Sequence, residues 1–113
     1  METLTPAELD SIRRCVEAIL HGPFIDDPEF QTRLGVDRDA FRRLIANWPP
    51  DLLAQSNSEV HLVLNNALNE ICHGVRISDP EWARWFGAGL LRTDILAVYR
   101  KWAEATGSRM GLR

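Results

Sequence analysis

The chain has no long apolar run. Its apolar stretches are only a few residues each, far short of the twenty or so that cross a bilayer, so no membrane-spanning segment is expected. Cysteine is scarce: Cys15 and Cys72 are the only two, too few for a disulfide framework, and they read as reduced core thiols. The opening Met-Glu-Thr-Leu-Thr-Pro has neither the basic nor the apolar region of an export signal, so a cytoplasmic protein is expected. Positive charge is not in excess. Thirteen Lys and Arg face sixteen Asp and Glu, for a net charge of −3 and a pI near 5.5, which counts against a surface built to live on nucleic acid. There is no Gly-rich phosphate loop, no nucleophile elbow and no paired-acid pattern, so no catalytic residue is expected.

What is present is helical grammar in a chain of one-domain length. Apolar residues make up 45% and charged residues 26% of 113, the balance of a globular protein. Thr5, Pro6 and Glu8 form a capping box with an N-terminal proline, and Leu9, Ile12, Val16, Ile19 and Leu20 follow at helical spacing until Gly22-Pro23. Asp27 is expected to cap a short second helix, Pro28 to Leu34, which Gly35 ends. A third helix starts near Asp37 or Asp39, carries Phe41, Leu44, Ile45 and Trp48 on one stripe, and breaks at Pro49-Pro50. After a polar connector at 51–57, a fourth helix starts at Ser56 or Ser58 and runs to Cys72 or His73, with Gly74 as its stop. Asp79-Pro80-Glu81 opens a fifth helix that ends at Gly87. A sixth begins at Thr93 with Ile95, Val98, Tyr99 and Trp102 inward, and 107–113 reads as a loose tail. No stretch alternates with a strand's period. The expectation is an all-α domain over 1–113: a bundle of about six helices.

Part of the chain echoes another part. Asp27-Pro28-Glu29-Phe30 matches Asp79-Pro80-Glu81-Trp82, and Leu34-Gly35 matches Phe86-Gly87. After a two-residue insertion, Phe41, Leu44, Ile45 and Trp48 match Ile95, Val98, Tyr99 and Trp102. This is either a duplicated helical hairpin packed on helices 1 and 4, or common start and stop signals used twice.

Residues 30–44 resemble the helix-turn-helix of bacterial DNA-binding regulators: apolar positions before the turn, Gly35 at the turn, then Val36, Phe41 and Leu44. That resemblance implies a recognition helix presenting Arg38, Arg42 and Arg43 to DNA. Gln31 departs from the small residue the motif prefers, and Asp37 and Asp39 place negative charge where phosphates would approach. Over most of residues 24–103, the Asp-Pro-Glu-aromatic helices, Asn-rich central helix and terminal tryptophan are similar to a group of small bacterial all-helical proteins. That likeness implies a fold and no activity.

On the fourth helix His61, Asn65, Asn69 and His73 step at i, i+4 beside an apolar arc of Val60, Leu64, Ala67, Leu68, Ile71 and Val75. Asparagines, Asn66 included, weaken a helix by about half a kcal/mol each against alanine, so something compensates. They either hydrogen-bond the backbone of neighbouring loops or line a groove for a ligand or partner. Glu70-x-x-His73 has the spacing of a di-iron ligand pair but occurs once, and Cys72 and His73 are adjacent, so neither a metal nor a cofactor is expected. A thiol–histidine pair of Cys72 with His61 or His21 would need an activated thiol that the sequence does not supply. The leading functional expectation is a non-catalytic interaction or regulatory module, binding a protein partner or itself near helix 4 and the tryptophan-ending hairpins. The alternative is a DNA-binding regulator using 27–48. The third is a small ligand-binding protein or hydrolase using His61, Asn65 and Asn69.

Overall fold

Thr5 closes the first helix as its spacing predicts. Its hydroxyl accepts from the Glu8 amide, and the Glu8 carboxylate accepts from the Thr5 amide at 2.7 Å. The computed structural model describes residues 4–46, 48, 59–87 and 89–106. Within them lie α1 (Pro6–His21), α2 (Asp27–Leu34), α3 (Arg38–Ile45), α4 (Glu59–Asn69), a π-helical turn (Glu70–Gly74), α5 (Asp79–Phe86) and α6 (Arg92–Thr106). No strand occurs among the described residues, and the protein is an all-α bundle. The Pro49-Pro50 break, the 51–57 connector, the start of helix 4 at Ser56 or Ser58, and the 107–113 tail lie outside the described residues.

Several boundaries differ from expectation by one residue or by one turn. The caps of α2 and α5 are Asp26 and Ser78 rather than Asp27 and Asp79. The Ser78 hydroxyl accepts from Glu81, whereas Asp26 makes no side-chain cap. Asp27 is then free to accept from Arg38 instead. Asp37 caps α3 through the Ala40 amide, and α3 ends at Ile45, so half-buried Trp48 stands beyond its helix rather than on its last turn. Helix α6 starts at Arg92, because Asp94 reaches back to the Leu91 amide at 2.8 Å and closes the turn one residue earlier. Helix α4 stays α-helical only to Asn69. It then widens, and the Val75 amide bonds to the Glu70 carbonyl at 2.9 Å, one residue further than an α-turn reaches.

The core sits between α1 and α4, the two helices that pack most extensively on each other. The short helices are exchanged across this pair: α2 packs on α4 and α5 on α1, while α6 and α3 lie along α1. Ile12, Ile19, Phe30, Phe41, Leu64, Leu68, Tyr99 and Trp102 are fully buried. Enclosing each phenylalanine is worth about 1.5–3 kcal/mol, and Phe30 meets Phe41 edge-on at 5.5 Å between centroids.

Equivalent residues of the echoed segments occupy equivalent positions. Among the described residues, Gly35 and Gly87 are the two glycines with positive φ, at 90° and 83°, each ending a short helix just after a buried Leu34 or Phe86. The correspondence also reaches back beyond the hairpin. Ile19, His21, Gly22 and Ile25 recur as Ile71, His73, Gly74 and Ile77 at the spacing that relates Asp27 to Asp79, so α1 corresponds to α4. The same three-helix order therefore recurs, α1–α2–α3 and α4–α5–α6, with α2 packed on α4 and α5 on α1.

Candidate functional site

Arg38 and Arg92 are also equivalent, lying three residues and, after the insertion, five residues past the positive-φ glycine. Arg38 turns back toward the end of α1. Its Nε donates to Asp27 at 2.6 Å, its Nη2 to the Ile25 carbonyl at 2.7 Å, and its Nη1 to the Leu20 carbonyl. Its guanidinium lies 4.4 Å over the Phe30 ring. Arg92 repeats this with fewer bonds. Nη2 donates to the Ile77 carbonyl, the guanidinium lies 4.4 Å over Trp82, and Asp79 stands off at 3.9 Å. Among the described residues its Nε and Nη1 meet no acceptor.

Each arginine roofs a notch between the starts of a short and a long helix, and the two notches differ in chemistry. The first, about 410 Å³, is lined by Asp27, Asp37, Asp39, Arg38 and Arg42. The second, about 430 Å³, is lined by Trp82, Ala83, Leu90, Leu91 and Arg92, with Asp79 on the rim. Leu90 and Leu91 close the second turn, which is two residues longer than the first. The Trp82 indole N–H donates to the Leu90 carbonyl at 2.6 Å, which holds this loop as a wall, and leaves the Leu91 side chain 59% exposed. Behind Trp82 and Arg92 a smaller space of about 110 Å³ reaches Ile71 and Cys72.

The arginines expected to face DNA are placed unequally. Arg38 is committed to the three acceptors above, Arg42 pairs with Asp39 at 2.5 Å, and Arg43 is exposed. Gly35 at φ 90° does make the tight turn between α2 and α3 that the resemblance implies.

The polar stripe of α4 is divided. His61 is buried, stacked on Trp102 at 4.8 Å, and 3.1 Å from the Thr106 hydroxyl. That hydroxyl also lies 2.9 Å from the Trp102 carbonyl, so it links His61 to the α6 backbone. Burial lowers the His61 pKa and keeps the ring neutral. Asn65 is buried and accepts from the Tyr99 hydroxyl at 2.7 Å, while Asn66 donates to the Leu34 carbonyl at the end of α2. Asn69 is half-buried and His73 exposed. The structure thus brings His61 and Asn65 to α6, and Asn66 to α2, without gathering the stripe into one pocket.

Burial raises the Cys72 thiol to about 11 and the Cys15 thiol well above its ordinary value, so both are protonated. Among the described residues no three His, Cys, Asp or Glu side chains come together as a metal site. No described helix is long and apolar enough to cross a membrane.

The α5–α6 notch does not show in the matching positions of the echo. The signal lies in the mismatch, where the second turn is two residues longer and ends in Leu90-Leu91 instead of Val36-Asp37. No family model, curated protein or solved structure matches this chain.

Proposed function

We propose that this chain is a non-catalytic interaction module that docks a partner protein in the groove between α5 and the start of α6. The observation that carries this reading is the apolar wall of Trp82, Leu90 and Leu91, left open beside the most exposed large apolar side chain among the described residues. A leucine side chain so exposed adds little to the core, and an aromatic floor with an aliphatic rim suits an inserted side chain. The cytoplasm is the proposed setting, in keeping with the two unpaired thiols. The regulator reading draws less support, since Arg38 is engaged within the protein and three aspartates line the notch that DNA phosphates would meet.

The test is a pull-down with tagged wild-type protein beside Leu91→Asp, with sedimentation of each to separate a different partner from a second copy. An exposed change should alter stability by about half a kcal/mol or less. A stoichiometric partner, or self-association, lost in Leu91→Asp at an unchanged unfolding midpoint is the expected result. Identical capture and identical mass from both would refute the groove. Anisotropy with mixed genomic DNA fragments should show no binding at low salt, and steeply salt-dependent binding would favour the regulator instead.

A further inference from the structure

The two notches are copies of one design, so their differences show what the second has been shaped to accept. In the first, an aspartate of the chain satisfies the arginine: Asp27 sits 2.6 Å from Arg38 Nε, and two backbone carbonyls take the remaining edge. In the second, the equivalent Asp79 has withdrawn to 3.9 Å and its side chain is fully exposed. Arg92 keeps only the Ile77 carbonyl and the Trp82 ring, and two of its donor positions point at no acceptor among the described residues. The position of Asp37 in the first notch has meanwhile become Leu91 in the second, beside Leu90 and Ala83. A guanidinium with unused donors at the edge of an apolar groove matches a carboxylate carried next to an apolar group, since arginine binds carboxylates through two parallel N–H donors.

Resting on the groove as the docking site, we propose that its occupant is an acidic apolar segment of the partner: an aromatic or aliphatic side chain seated on Trp82 and Leu91, with a neighbouring carboxylate taken by Arg92 in the place Asp27 holds in the first copy. Asp79 is the competitor at the rim, close enough to weaken an incoming carboxylate and too far to replace it.

The probes are N-acetyl-tryptophan, which carries the carboxylate, and N-acetyl-tryptophanamide, which does not. Each is titrated into the 113-residue protein by amide and indole NMR. The acid is expected to shift the Trp82 indole and the Leu91, Arg92 and Thr93 amides, and to bind about tenfold more tightly than the amide, the effect of one good charge-assisted contact. Asp79→Asn, an exposed change that leaves the fold alone, should tighten the acid two- to threefold, and Arg92→Gln should bring acid and amide within about twofold of each other. Equal binding of acid and amide at these resonances, unmoved by Asp79→Asn, would overturn the carboxylate while leaving the groove as a docking site. Shifts confined to other residues, or none with either probe, would overturn both.

Discussion

If Arg38 and Arg92 are equivalent latches of unequal completeness, replacing each by glutamine should cost unequal amounts. Arg38→Gln removes two bonds to backbone carbonyls, and a hydrogen bond to a charged donor is worth about 1.5–3 kcal/mol when buried. The Arg38 side chain is 23% exposed, so the lower end applies. The stack on Phe30 adds about 0.5–1 kcal/mol. The pair with Asp27, whose side chain is 80% exposed, adds less than about 1 kcal/mol. Glutamine can recover one bond, leaving a cost of about 3 kcal/mol. Arg92→Gln loses a single carbonyl bond and a similar stack at a side chain 48% exposed, which comes to about 1–1.5 kcal/mol. Urea unfolding of the two variants measures the difference of about 1.5–2 kcal/mol, which at a slope of about 1–3 kcal/mol per molar is roughly half to two molar in midpoint. Equal losses, or a larger loss at Arg92, would refute the claim that the second latch is partly released and open to an outside acceptor.

The turn glycines offer a second comparison. Gly35 has φ 90° and ψ −10°, which asparagine tolerates, so Gly35→Asn should cost less than about 1 kcal/mol. Gly87, at φ 83° and ψ 163°, is in a region open essentially to glycine alone, so Gly87→Asn should cost about 2–3 kcal/mol by thermal unfolding. Thr5→Ala breaks the capping box of α1 and should cost about 1 kcal/mol, also seen as faster exchange of the Glu8 amide. Burial holds the folded His61 pKa below its ordinary value of 6.5. As pH falls through 6.5 the unfolded chain takes up a proton that the folded ring refuses, so stability is full above 6.5 and declines below it. Glu8, held low by its bond to Lys101, and Asp10, held low by Arg14 and Arg13, lose their contributions only as pH falls below their ordinary values of 4.5 and 3.8. A urea midpoint that drops between pH 7 and 5.5 in the wild type and stays flat in His61→Gln would bear out the assignment, and equal drops would refute it.

Helix number and most boundaries were legible because each rests on a local signal: the Thr5–Glu8 box, the Asp37 cap, and the glycines that follow Leu34 and Phe86. The errors came from signals that are not local. Asp27 looked like a cap because its partner, Arg38, is eleven residues away and on another helix. The early end of α4 was hidden because Gly74 is a fair stop signal. Yet Glu70 is drawn across to Arg33 of α2 at 2.9 Å, at the first residue of the widened turn. The α4 stripe was visible as a periodicity, but its meaning depended on what faced it: Tyr99 and Thr106 from α6, and the Leu34 carbonyl from α2, none of which periodicity can supply.

The candidate groove makes the same point more sharply. Leu90 and Leu91 have no helical phase and fall on no stripe, so pattern analysis passes over them as loop. Their significance comes from the unit being present twice. Two copies in one chain share a core, and each needs its short helix to cover the other's long one, which holds both hairpins to one packing scheme. The turn after the positive-φ glycine is less constrained, since it is where the two segments differ in length. There the first copy keeps Val36 and Asp37, with Asp37 spent on capping α3. The second has lengthened the turn, cannot cap α6 with Leu91, and recruits Asp94 to do so from inside the helix. That substitute cap leaves the Leu91 side chain free to stand in solvent, over an aromatic floor that the core had already fixed in place.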